Sequence, residues 1–389
     1  MMRRCLVLLP LLLIGSLASL PAQGPRGVAT VVNPLDLARP SETIVLAAAD
    51  VQKLLAVEDV RTVKVRDDAA NKDLLTQAID LNDDGKFEQL IFQVDLAPRE
   101  TRTLSLSVGE RRIATREEYK AYGRFVRERR DDFAWENDRT AHRMYGAALE
   151  TWAQEPLTSS SVDVWVKRVR RLIVNDWYMV DDYHKDHGEG ADLYSAGKSR
   201  GCGGNGVWAN GQLYPSANFR DSRVIANGPI RVQFELVYQP WDAAGTKVSE
   251  IKRLTLDAGW NLNRFESRFA VAGGAALATH AIGIKDAASS TSAFSRERGT
   301  LRTWEPFKGD DGQLGCGVIV DPAQVVEATK GAGNYLIVAK IAADGTAAWY
   351  AGAGWSKSGD FKSVEDWDAY IEQASRRLRA PVQVALKAR

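Results

Sequence analysis

The residues best suited to chemistry stand close together. The chain holds only four histidines, and two of them, His184 and His187, fall in DDYHKDHGEGAD (181–192), with Tyr183 next to His184 and five acids around them. An imidazole changes charge near neutral pH and a phenol holds a transferable proton, so an adjacent His–Tyr pair suits acid–base work. Three readings of this glycine-bearing stretch compete: a solvated loop, a metal site, or an active-site loop with His184 as proton carrier. The metal reading needs ligands converging at about 2.0–2.2 Å for zinc or about 2.3–2.6 Å for calcium, which spacing alone does not establish.

A second candidate is DDFAWENDRTAHRMYG (131–146). If its second half is a strand, period-two alternation places Arg139, Ala141, Arg143 and Tyr145 on one face and Thr140, His142 and Met144 on the other. Two guanidiniums and a phenol on one face match an anionic sugar, because the arginine fork pairs with a carboxylate bidentately. The competing reading pairs Arg139 and Arg143 with Glu136, Asp138 or Asp132 as structural ion pairs, with His142 in the core. The third stretch, DLYSAGKSRGCGGNGVWANGQL (192–213), carries Lys198, Arg200 and Trp208 among glycines that let backbone approach a ligand or shape bulges. Trp135 and Trp208 have faces on which a sugar can stack, although a tryptophan is more often core. No GxxxxGK[ST] loop, Rossmann fingerprint or GxSxG elbow is present, which leaves phosphate cradling and serine or cysteine nucleophiles without support.

These stretches need a scaffold, and 389 residues with 45% hydrophobic and 26% charged content supply an ordinary globular one. With 51 Lys+Arg against 50 Asp+Glu, charge gives no case for a nucleic-acid partner. At the start, Arg3 and Arg4 precede an apolar run over 5–20 and then LPAQG, a secretory signal pattern (1–22) that places the mature protein in the periplasm or outside the cell. That run is too short for a membrane span, which needs about 20 apolar residues. Cys202 and Cys316 then remain and could pair in an oxidising compartment, and the lack of any CxxC argues against thiolate-held zinc.

Residues 24–112 alternate in short strands broken by turn residues: TIVLA (43–47), RTVKVRD (61–67), EQLIFQVDL (88–96) and RTLSLSV (102–108), as in a small Ig-like β-sandwich. Within it DLNDDGKFE (80–88) opens like an EF-hand loop but has Ile91 where the twelfth-position Glu belongs, so a polar turn between strands is the better reading. Residues 113–130 are a charged, partly helical connection. From 131 to 389 strands dominate, including IRVQFELVY (230–238), EIKRLTLD (250–257), NRFESRFAV (263–271), NYLIVAKI (334–341) and PVQVAL (381–386). One helix is expected from Ser363, where Val364, Trp367, Ile371, Ala374 and Leu378 recur at three-to-four spacing behind a cap. The fold class is all-β.

WENDRTAHRMYG, DDYHKDHGEGADLYSAGKSRGCGG and NGPIRVQFELVYQPW (227–241) together resemble a bacterial family catalogued as domain of unknown function 4861, secreted proteins often encoded beside polysaccharide-degrading enzymes. The similarity covers most of residues 30–380. It implies a large galactose-mutarotase-like β-supersandwich after the small sandwich, and elimination, as a dehydratase or lyase, on uronic-acid oligosaccharides. The residues carried over are Trp135, Glu136, Asp138, Arg139, Arg143 and Tyr145, then Tyr183, His184, Asp192, Gly197 and Lys198.

Elimination needs the uronate carboxylate neutralised, a base at C5 and an acid at the C4 oxygen. On this reading Arg143 with Arg139 neutralises, His184 is the base and Tyr145 or Tyr183 the acid, while Glu136, Trp135, Lys198 and Trp208 hold the sugar. The sequence requires no cofactor, and a divalent metal, calcium or zinc, is an option. A glycoside hydrolase using Glu136 with Asp182 or Asp192, an epimerase, and a non-catalytic carbohydrate-binding protein are the alternatives.

Overall fold

The computed structural model describes residues 26–154, 156–180 and 182–389; the expected signal segment lies outside the described residues. The alternating segments of the first hundred residues form two facing sheets. One runs in the order Lys72–Leu74, Val63–Asp67, Thr101–Val108, Arg26–Val32, Gln383–Ala388, the other Arg39–Ala47, Gln89–Leu96, Thr76–Ile79. Their inward residues, among them Val31, Ile44, Val65, Phe92 and Leu106, make one core, which is the Ig-like sandwich. Two features depart from the sequence reading. The strand Arg39–Ala47 runs directly into a helix, Ala48–Leu55, that buries Ala48, Val51 and Leu55 at helical spacing. The final strand, Gln383–Ala388, pairs with Arg26–Val32, so the chain's end belongs to the first sandwich and not to the second.

The connection is also more structured than expected. Its second half is the strand Ala121–Val126, the edge of a five-stranded sheet that continues through Asp132–Asn137, Ala141–Met144, Asp163–Lys167 and Gly190–Ala191. Beyond it lies the large supersandwich. An eight-stranded antiparallel sheet has the long strands Arg231–Ala243, Thr246–Asp257, Leu262–Val271 and Thr346–Trp355 at its centre. A five-stranded sheet built around Cys202–Ala209, Thr279–Lys285 and Asn334–Lys340 faces it. Phe234, Leu254, Phe265, Ile282, Ile337 and Trp349 fill the space between. Cys202 and Cys316 are both buried and free, and the Cys202 thiol donates to the Gly352 carbonyl at 3.1 Å.

The expected C-terminal helix is present as Val364–Arg379, with the Ser363 hydroxyl accepting from the Asp366 N–H. It lies on the eight-stranded sheet over glycines: a side chain at Gly315, Gly317 or Gly354 would come within 2.6 Å of Trp367, 2.3 Å of Ile371 or 2.7 Å of Trp367, respectively. Among the described residues no helix is long and apolar enough to cross a membrane.

His142 and His280 are buried in this core, and burial lowers both from an ordinary 6.5 to about 3. Above pH 6.5 both histidines are neutral, folded or unfolded. As pH falls below that, the unfolded chain takes up protons that the native state refuses, so stability declines by about 1.4 kcal/mol per pH unit for each histidine. His280 packs against Phe269 and Trp349, and its Nδ1 has no hydrogen-bond partner. The variant His280→Phe is therefore expected to unfold in urea with a pH dependence between 6 and 4.5 shallower by about one proton than the parent's. Parallel pH profiles for the two proteins would contradict this.

Candidate active site

The strands Asp132–Asn137, Ala141–Met144 and Asp163–Lys167 pair so that Arg143 lies opposite Ala134 on one side and Asp163 on the other. The expected alternation holds within Ala141–Met144. Ala141 packs in the cluster with Trp165, whereas His142 stacks on Trp135 at 5.3 Å and meets Asn263 at 3.1 Å on the opposite face. It does not reach Arg139. The Asn137 side chain accepts from the N–H groups of Arg139 and Thr140, which turns the chain there, and the Arg139 guanidinium pairs with Asp360 at 2.7 Å. Arg139 and Arg143 are therefore not partners on one face.

Arg143 sits among three carboxylates: Asp163 at 2.7 Å, Asp192 at 3.0 Å and Asp132 at 3.7 Å. The arginine side chain is 6% exposed and each aspartate 1%. Tyr145 donates its hydroxyl to the same Asp163 oxygen at 2.9 Å. Burial pushes the Asp192 carboxyl well above the usual carboxylate range; Arg143 pulls against this and Asp163 adds to it. Burial works against the Arg143 charge, yet Asp192 and Asp163 hold the guanidinium above its ordinary range. Arg143 is committed to this network, so it cannot also receive a substrate carboxylate.

The loop expected to carry acid–base chemistry docks on this network through Asp192. The Asp192 N–H donates to the Tyr183 carbonyl at 2.9 Å. His184 Nδ1 lies 3.1 Å from the Asp192 carbonyl and 3.3 Å from its carboxylate. A backbone carbonyl only accepts, so Nδ1 must carry the hydrogen, which leaves the Nε2 lone pair for a substrate proton. The His184 side chain is 56% exposed. Tyr183 packs on His184 at 4.4 Å and stacks on Trp165 at 5.2 Å, with Tyr178 beside both. Partial burial raises the Tyr183 phenol, against the pull of Arg143 and Arg129, so it stays protonated and can donate.

Four of the nine expected site residues thus gather: Arg143, Tyr145, Tyr183 and His184. The others do other work. Trp135 is fully buried, donating to Asn263 at 2.7 Å, so no sugar reaches its face. Glu136 is fully buried too; it accepts from Lys167 and from the N–H groups of Ile173 and Val174, each at 2.7 Å, and anchors the short helix Val174–Tyr178. Trp208 packs with Leu213, Ala281 and Leu336 on another sheet. Lys198 is exposed and lies outside the Arg143 network. Asp163 and Tyr178 belong to the site without having been anticipated.

The loop's second histidine does not join the first: His187 pairs with Asp182 at 2.8 Å, both exposed, so the two imidazoles do not converge on a metal. Carboxylates that do converge are those of Asp80, Asp84 and Glu88, whose oxygens lie within 4.8 Å of one another. Glu88, ninth in the loop, turns back where the twelfth position holds the buried Ile91. An all-oxygen set of this kind fits calcium better than zinc. Asp80 already accepts from the N–H groups of Asn82, Asp83 and Gly85, as a polar turn without an ion also would.

A solved structure with a similar fold is a protein in the Glycosyl Hydrolase Family 38 from Enterococcus faecalis, with a TM-score of 0.51 and 9% sequence identity over 94% of this chain. It covers 48% of that protein, so the chain spans about half the length of the structure it matches; the likeness concerns the fold. "Uncharacterized protein P7" of Formosa agariphila is 33% identical over 382 residues, 92% of this chain and 93% of its own. The model of the domain of unknown function DUF4861 matches residues 31–384, and the chain belongs to that family.

Proposed function

We propose that this protein is a carbohydrate-active enzyme that eliminates across C4 and C5 of uronic-acid oligosaccharides, as a dehydratase or lyase. The observation that carries the reading is His184, exposed, with its Nδ1 tied to Asp192 and its ring against a protonated Tyr183. In the proposed step His184 Nε2 takes the C5 proton, and the electron pair of that bond forms the C4=C5 double bond. The C4–O bond breaks, and the departing oxygen takes the Tyr183 proton and leaves as water or as a sugar hydroxyl. Arg143 and Tyr145 hold Asp163 and Asp192 in place and touch no substrate; they are positioning residues. The field of Arg129, which acts on both Tyr183 and Asp192, supplies positive potential beside the reacting carboxylate.

Hydrolysis fits less well. It needs two accessible carboxyl groups flanking the bond, about 5–5.5 Å or about 6.5–9.5 Å apart. Glu136 is sealed by Lys167, and Asp192 is held against Arg143. The test is incubation of the protein with a panel of uronate oligosaccharides, with and without chelator, read by ultraviolet absorbance and mass spectrometry. New absorbance with loss of water identifies a dehydratase, and new absorbance with chain cleavage a lyase. Cleavage with water gained and no absorbance would replace elimination by hydrolysis.

A further inference from the structure

Two adjoining clefts of about 620 Å³ each meet at Glu117 and Lys120 on the connecting segment; the first is walled by that segment and by residues 136–176, the second also by the small sandwich. Each is within the size range of ligand sites, about 300–1,000 Å³, and together they suit a chain more than a single sugar. We propose that the cleft on the His184 side is a second binding site, for the extended part of an acidic oligosaccharide. The inference rests on the function proposed above for the identity of the sugar, not for the existence of the site.

Five cations line this cleft: Arg116, Lys120, Arg139, Arg170 and Arg171. The lining acids are Glu117, Asp138, Asp176 and Glu136, and the last is already neutralised by Lys167. Arg139 and Arg170 converge on a single carboxylate, Asp360, each at 2.7 Å, and Arg139 Nε also lies 3.7 Å from Asp138. Arg116 and Lys120 are exposed and in no ion pair among the described residues. Tyr119 and Tyr122 add rings to the wall. Arg171 already pairs with Asp176 and Glu189, so the Arg116 fork and Lys120, beside the phenol rings, are what would meet a run of carboxylated sugars. The adjoining cleft, lined by Asp67, Asp73, Asp95, Glu117 and Glu118 as well as by cations, lacks that bias.

Position ties the cleft to the reaction. The helix Val174–Tyr178 separates them: Asn175 and Asp176 line the cleft, while Tyr178 packs against Tyr183. A helix is about 10–12 Å across, so a chain lying in the cleft ends within a few sugar units of His184.

The experiment is titration calorimetry of the whole protein with a galacturonate hexamer, a glucuronate hexamer and neutral cellohexaose. It compares the parent with the double variant Arg116→Ala/Lys120→Ala, whose side chains are exposed and unpaired. Binding is read in the His184→Ala background, where turnover does not intervene. The expected result is that an acidic hexamer binds more tightly than cellohexaose, and that the double variant weakens it about tenfold while a uronate disaccharide is converted as before in the His184 protein. Equal affinity of parent and double variant for the acidic hexamers, or equal binding of the neutral one, would overturn the proposal. Cleft-dependent binding without any elimination would leave this site standing and remove the reaction; elimination without cleft-dependent binding would do the reverse.

Discussion

Replacing Arg143 by alanine is expected to cost about 3–5 kcal/mol of stability, because it takes a counter-charge at 2.7–3.0 Å from the buried carboxyl groups of Asp163 and Asp192. Asp132, Asp163 and Asp192 each have 1% of their side chain exposed, and Arg143 lies within 3.7 Å of all three. Urea unfolding followed by tryptophan fluorescence measures the loss. Its pH dependence separates stranded charge from lost packing. Without the arginine the carboxyls titrate at higher pH in the folded state than in the unfolded one. The native state therefore gains protons first, and the deficit shrinks as pH falls from 7.5 toward 5. Asp163→Asn in the same background should recover part of the loss by removing one of the trapped charges. A deficit below about 1 kcal/mol, or one that ignores pH, would show that the network is not what Arg143 supports.

That network also marks how far local pattern reads. The helix after Ser363 is legible because its cap and its apolar spacing lie within sixteen residues of each other, and Ala141–Met144 because alternation is a property of the strand itself. The strand Asp132–Asn137, like Ala141–Met144, is buried on both faces, so alternation sorts side chains between faces but carries no information about which meet solvent. Trp135 and Glu136 look like ligand-facing residues in sequence. Their partners, Asn263 and Lys167, lie 128 and 31 positions away. The final strand shows the same limit, since nothing near residue 383 indicates that its partner is Arg26–Val32. His184 and Tyr183 stand out in the sequence as candidates because histidine is rare here and the pair adjacent, but Asp163 does not, since its place beside Arg143 exists only once two strands lie side by side.

His184→Ala is expected to reduce kcat for elimination by about a hundredfold to ten-thousandfold, the usual share of a positioned base. The unfolding midpoint should barely move, since the side chain is 56% exposed and its polar contacts among the described residues go to Asp192. Added imidazole should restore part of the rate, because the cavity left beside Tyr183 keeps the wall against which the ring stood. Asp192→Asn provides the contrast. The Asp192 carbonyl still accepts from Nδ1, so the tautomer survives, while the carboxyl oxygen 3.3 Å from Nδ1 gives way to an amide that cannot take up charge as the imidazolium forms. That variant should lose kcat with KM nearly unchanged, the mark of an interaction made in the transition state and not in substrate binding. Tyr183→Phe keeps the stack on Trp165 and removes only the donor, so it should spare folding and lower kcat, most for poor leaving groups. If all three variants turned over uronates at the parent rate, the His184 network would be a structural motif and the reacting groups would lie elsewhere. If His184→Ala alone were silent, Tyr183 would have to serve as both base and acid, with the imidazole reduced to neutralising the sugar's carboxylate.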